Sequence, residues 1–216
     1  MQLVYGTGNP AKIAWMQQQL APIGIELVGI KTLDVPLPKI NESGNTPLEN
    51  AVIKAQAYFN TIKRPVFSAD SGLYFDGVPS ELQPGVNVRR VCGRELSDAK
   101  MTEHYAALAR RFGGKLTAQY KNAICLVISD TESYTYEGSG IHGRKFYLVD
   151  TPHKQRMQGF PLDCLAVRID NGRYYYDDDS EDEITENAGF TKFFRDALAG
   201  RRQSGTPCND TMSVPL

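Results

Sequence analysis

The chain has 216 residues, enough to bury most of its apolar surface in one large α/β domain or in two small lobes around a shared core. Its 24 Lys and Arg against 25 Asp and Glu leave a net charge of −1, so no global field holds polymeric nucleic acid or an acidic membrane, and phosphate binding has to be local. No apolar run reaches the roughly 20 residues of a membrane span, and Met1 leads into Leu3-Val4-Tyr5 without a basic leader, so a cytoplasmic protein is expected.

Residues 3–5 form a short apolar strand, followed by Gly6-Thr7-Gly8-Asn9-Pro10 and by Ile13, Trp15, Met16 and Leu20 at helical spacing. A second strand is expected at residues 25–30. Pro47 then opens a helix with Thr46 as its N-cap and Ala51, Val52, Ala55 and Tyr58 on its apolar face. Residues 65–69 read as a buried strand that stops at Asp70-Ser71-Gly72, and Ser97 caps a further helix ending near Arg111. The stretch between them, residues 77–93, is long for a loop, which marks it as a functional candidate. Residues 120–129 and 133–141 form a hairpin about Asp130-Thr131-Glu132, and residues 165–169 form another strand. A last helix covers residues 190–198 and closes at Gly200. Residues 1–200 are thus expected as a single domain, with a polar, flexible tail at 201–216. The acidic run at residues 177–183 reads as a solvated loop, and Cys92, Cys125, Cys164 and Cys208 lack the pairing of a zinc site.

Three groups of residues carry chemistry. In Thr7-Gly8-Asn9-Pro10-Ala11-Lys12, a helix begins directly after a strand, where free N–H groups and the helix dipole attract an anion. Lys12 adds a compact positive charge, although the spacing matches neither a Walker A loop nor a dinucleotide fingerprint, and a simple chain reversal is the competing reading. Glu42, Glu49 and Asp70 form the second group. A carboxylate at the end of a strand projects into the crevice where open α/β sheets bind ligands, and magnesium asks for one or two such oxygens. Glu49 is also explained by the helix dipole, and Asp70 by a turn. Lys54, one turn from Asn50, reaches a phosphate from the same helix. The third group is Arg89 and Arg90 in the long loop, together with Phe160 and Asp163, an aromatic face beside a carboxylate; solvated arginines and a core Phe are the alternatives.

Taken together, Thr7-Gly8-Asn9 with Lys12, the Glu42 loop with Glu49-Asn50-Ala51 and Lys54, Ser68-Ala69-Asp70-Ser71-Gly72-Leu73, and Pro84-Gly85-Val86 with Arg90 resemble the Ham1 or inosine triphosphate pyrophosphatase family. The resemblance implies an elongated α/β fold with a long mixed central sheet, helices on both faces, a groove between two lobes, and a homodimer. It also implies hydrolysis of a nucleoside triphosphate to a monophosphate and pyrophosphate with magnesium. By that likeness Glu42 and Asp70 work with the metal and Asp70 helps activate water. Thr7, Gly8, Asn9, Lys12, Lys54, Ser71, Gly72 and Arg90 hold the triphosphate, and Phe160 and Asp163 meet the base. Two departures stand out. Ala69 replaces an acid beside Asp70, and the family's Ser-His-Arg segment has no counterpart around residues 185–192, where Lys192 is the nearest candidate. A nucleotide-binding protein without turnover, or a hydrolase of another nucleotide, therefore stays open as an alternative.

Overall fold

The structure, a computed structural model, describes residues 1–178 and 188–202. The expected tail from residue 203 on, Cys208 and residues 179–183 of the acidic run lie outside the described residues. In chain order the elements are β1 (Gln2–Tyr5), α1 (Pro10–Leu20), β2 (Glu26–Gly29), α2 (Pro47–Ile62), β3 (Val66–Phe75), β4 (Arg90–Val91), β5 (Arg94–Glu95) and α3 (Asp98–Arg111). There follow β6 (Lys115–Ser129), β7 (Glu132–Glu137), β8 (Phe146–Val149), β9 (Ala166–Arg168) and α4 (Ala188–Arg202). No helix among the described residues is long and apolar enough to cross a membrane.

One mixed sheet runs in the order β2-β1-β3-β6-β8-β9, with β7 also paired to β6. β1 is parallel to β2 and to β3, and every other pairing in the sheet is antiparallel. Its spine is the β3–β6 ladder, in register from Val66↔Val127 to Phe75↔Ala118. The far edge of β6 forks, its first residues pairing with β8 and its last with β7. Two lobes follow from this fork. In one, α3 packs Met101, Tyr105 and Ala109 on Leu73, Phe75, Leu116 and Leu148. In the other, Phe190 and Phe194 of α4 and Met16 of α1 cover Phe67, Ile124 and Leu126. The opposite face there is sealed by α2, whose fully buried Ala51 and Ala55 let the helix lie close on Val66, Cys125 and Val127.

Several boundaries differ from expectation. β3 does not stop at Asp70 but continues to Phe75, because β6 satisfies its backbone throughout and outweighs the turn preference of Asp-Ser-Gly. Asp70 is therefore a mid-strand residue. β6 starts five residues before position 120, β7 ends at Glu137, and α4 runs past Gly200 to Arg202. On α2 the apolar face is Ala51, Ala55 and Phe59, while Val52 is exposed.

The long loop is tied down by more than the short β4–β5 ladder. Gly85 exchanges backbone hydrogen bonds with Leu73, and the Gln83 carboxamide accepts from Phe75 N–H at 2.8 Å while donating to Phe75 and Val78 carbonyls at 2.7 and 2.9 Å. A side chain thus completes the free edge of β3. Replacing it leaves three backbone groups without these partners, so Gln83→Ala is expected to cost about 2 kcal/mol of stability, read as a lower urea midpoint at unchanged slope. An unchanged midpoint would mean that water substitutes for the amide.

Candidate functional site

The site lies where the edge of β3 opens. β1 pairs with β3 only through Val4↔Val66 and Tyr5↔Phe67, and the long loop rejoins that edge at Leu73. Between these points the edge is flanked by the turn after β1, whose Gly6 N–H reaches Phe67.

The turn is shaped by its own side chains. Asn9 caps α1 by accepting from Ala11 N–H at 2.9 Å, and Thr7 Oγ1 accepts from Asn9 N–H at 3.2 Å. Gly6 N–H donates to Phe67 C=O at 2.7 Å and locks the turn onto β3. A Cβ at Gly6 would lie 2.3 Å from Ser68 Oγ, so only glycine permits this approach. Thr7 and Asn9 thereby organise the start of α1 and the positive end of its dipole. The half-buried Lys12 lies one turn in and makes no hydrogen bond or ion pair among the described residues. Burial and the charge of Lys54 push its ammonium below the ordinary value, against the opposing pull of Asp70 and Glu42.

The two expected acids meet through Lys54. Its Nζ stands 2.6 Å from Asp70 Oδ1 and 3.3 Å from Glu42 Oε2. The Lys54 and Asp70 side chains are each only 12% exposed, whereas that of Glu42 is 46% exposed. Alternation along β3 aims Asp70 at the α2 face together with Val66 and Ser68, and α2 delivers Lys54 from above. Burial first and Asp70 second raise the phenols of Tyr5 and Tyr74, which places both rings in the field of the same carboxylate. Glu49 serves the loop instead. It accepts from Asn45 N–H at 2.7 Å while buried Asn50 accepts from Gly44 N–H at 2.9 Å, and together they fix the segment carrying Glu42. Ala69 points to the other face, against the cluster under α1 and α4. An acid there would not have shared the face of Asp70.

The remaining candidates divide. Gly72 is buried on the Asp70 side of β3 and Ser71 points to the other face, half-buried. Gly159, at φ +89°, brings its carbonyl 3.5 Å from Asn9 Nδ2, so the turn that carries Phe160 and Asp163 adjoins the glycine turn after β1. Arg90 is exposed and makes no side-chain hydrogen bond or ion pair among the described residues, while Arg89 binds Asp98 and the Leu96 carbonyl and braces α3. Lys192 pairs with Asp196 on α4 and lines a separate concavity of about 1150 Å³ beside Tyr136 and Phe193. Sequence reasoning missed Lys31. It follows β2, and parallel pairing with β1 sets it against Gly8, a placement the strand–helix–strand order could have suggested.

Comparison with known proteins agrees with this geometry. Residues 3–165 match the Ham1 family. A dITP/XTP pyrophosphatase from an Exiguobacterium species is 34% identical over 173 residues, covering 77% of this chain and 80% of that protein. One from Geobacillus kaustophilus is 34% identical over 132 residues, covering 59% of this chain and 61% of that protein. The solved structure of a HAM1 protein from Coxiella burnetii shares the fold, with a TM-score of 0.69 at 22% identity over 93% of this chain and 99% of that one.

Removing one partner of a largely buried ion pair leaves the other uncompensated. Lys54→Met is therefore expected to destabilise the protein by about 3 kcal/mol, and the double variant with Asp70→Asn to recover most of that loss in urea unfolding. Additive losses would show that the two side chains act independently.

Proposed function

Because the chain belongs to the Ham1 family, we propose that it is a nucleoside triphosphate pyrophosphatase acting on non-canonical purine nucleotides of the dITP and XTP kind. The observation that carries this reading is the meeting of Asp70 and Glu42 on Lys54, near enough to Lys12 at the start of α1 for all three charges to act on it. Phosphoryl transfer needs positioning and charge neutralisation more than covalent help, and this arrangement offers both.

In the proposed reaction water attacks the α-phosphorus. The bond from that phosphorus to the oxygen bridging to the β-phosphate breaks, and pyrophosphate departs with the bonding electrons. Asp70 takes the proton from the attacking water, and the monophosphate keeps its oxygen. The N–H groups opening α1 and the Lys12 ammonium hold the phosphates. A phosphate also restores to Lys12 the counter-charge that it lacks in the free protein. Lys54 exchanges a carboxylate for a phosphate oxygen as the substrate arrives.

The acids suit a magnesium ion. Glu42 and Asp70 already share one cation and their oxygens are hard donors, a pair that leaves the other positions around a magnesium ion to water and phosphate. When bound, magnesium neutralises phosphate charge and makes water more acidic. Phe160 offers a face to the base and Asp163 an acceptor for the ring N–H of a 6-keto purine. Ser71 is the less favoured substrate contact, since its side chain lies on the face of β3 away from Asp70, whereas Gly72 keeps the Asp70 side and the exposed Arg90, with no ion pair among the described residues, stays a candidate for the phosphates. A cytoplasmic homodimer completes the proposal.

A panel of triphosphates assayed for pyrophosphate release with magnesium tests it. Release from dITP or XTP should exceed release from dATP by at least about tenfold, and Asp70→Asn should lower kcat about a thousandfold. Nucleotide-dependent thermal stabilisation without pyrophosphate from any substrate would make the chain a binding protein instead.

A further inference from the structure

The pyrophosphatase reading accounts for the cations on the Asp70 side of the turn but leaves a third one unexplained. Lys31 sits in a short 3-10 turn, Ile30–Thr32, fixed from both ends: Ile30 is buried in the core, and Thr32 Oγ1 donates to Gly29 C=O at 2.8 Å. The turn leans the Lys31 side chain over the phosphate turn. A Cβ built on Gly8 would lie 2.5 Å from Lys31 Cε and 2.9 Å from its Nζ. The ammonium thus rests on a residue that has no side chain of its own to answer it. Among the described residues Lys31 makes no hydrogen bond or ion pair, although Asp34 follows three residues later. An ammonium held without a counter-charge beside the positive end of a helix is electrostatically unfavourable until an anion arrives.

The sheet order says where along the substrate that anion lies. β1 is flanked by β3 on one side and by β2 on the other, so the turn after β1 separates Asp70, on β3, from Lys31, which follows β2. A triphosphate whose α-phosphorus lies at Asp70 and whose chain crosses the N-terminus of α1 carries its distal phosphates toward Lys31. We propose that Lys31 is an additional substrate-binding residue that grips the terminal phosphate of the triphosphate, and hence the pyrophosphate product, across Gly8. This rests on the pyrophosphatase reading and deepens it: Lys12 and Lys54 serve the phosphates near the cleavage point, while Lys31 makes the cradle long enough to prefer three phosphates to one.

The test is calorimetric binding of two products, inorganic pyrophosphate and dIMP, to the wild type, Lys31→Ala and Lys31→Arg, alongside dITP turnover. Lys31 is exposed and outside the core, so neither variant threatens folding. Lys31→Ala should weaken pyrophosphate about tenfold, leave dIMP unchanged and raise KM for dITP with kcat within about twofold, and Lys31→Arg should keep pyrophosphate affinity. Wild-type affinity of Lys31→Ala for pyrophosphate, or equal weakening of both products, overturns the role of Lys31 while leaving the pyrophosphatase reading intact. A wild type that neither releases nor binds pyrophosphate overturns both.

Discussion

The arrangement depends on one interaction: a lysine ammonium held between two carboxylates at the point where the edge of β3 becomes free. Taking such charges out of water is costly, and their mutual attraction repays it only when the geometry is held by rigid elements. Here every partner is held. Asp70 stands in the middle of a ten-residue ladder with β6, Lys54 stands on a helix packed flush to the sheet by alanines, and Glu42 stands on a loop pinned by Asn50 and Glu49. The long β3–β6 pair is therefore more than a scaffold joining two lobes, because it fixes where a carboxylate meets the cleft.

Around that pair the charge balance explains how a nearly neutral chain can select a highly anionic substrate. Overall the protein carries −1, yet Lys12, Lys31 and Lys54 gather about the start of α1, and among the described residues Glu42 and Asp70 pair with Lys54 of the three. In the proposed function this local excess is what holds the phosphates, while the near-neutral chain sets up no global field. The same crowding lowers the proton affinity of Lys12, a cost that a bound phosphate removes. Binding and catalysis draw on one imbalance.

The parts of this picture that local chemistry determines were legible in the sequence. Thr46 and Ser97 are N-caps, and the glycine turn follows a buried strand, because capping and periodicity are short-range properties. What sequence reasoning misjudged depends on partners distant in the chain. Asp70-Ser71-Gly72 carries a turn preference, but β6 supplies ladder hydrogen bonds that override it. Val52 fits the helical period yet faces water, since α2 meets the sheet along Ala51, Ala55 and Phe59. Ala69, where the family has an acid, lies on the face away from Asp70, a placement set by the β3–β6 ladder. Lys31 was missed, because nothing in its neighbours marks it and its place beside Gly8 follows from the parallel pairing of β1 and β2, which the strand–helix–strand order suggests but does not spell out.

The most direct test of the central claim is a crystal structure with manganese and a non-hydrolysable dITP analogue, recorded at the manganese absorption edge. The account predicts one anomalous peak within coordination distance of both Glu42 and Asp70, with Lys54 turned from Asp70 toward a phosphate oxygen and the triphosphate lying across the start of α1. Nucleotide bound elsewhere, for example in the concavity beside Tyr136 and Phe193, with the Lys54–Asp70 pair undisturbed, would contradict it.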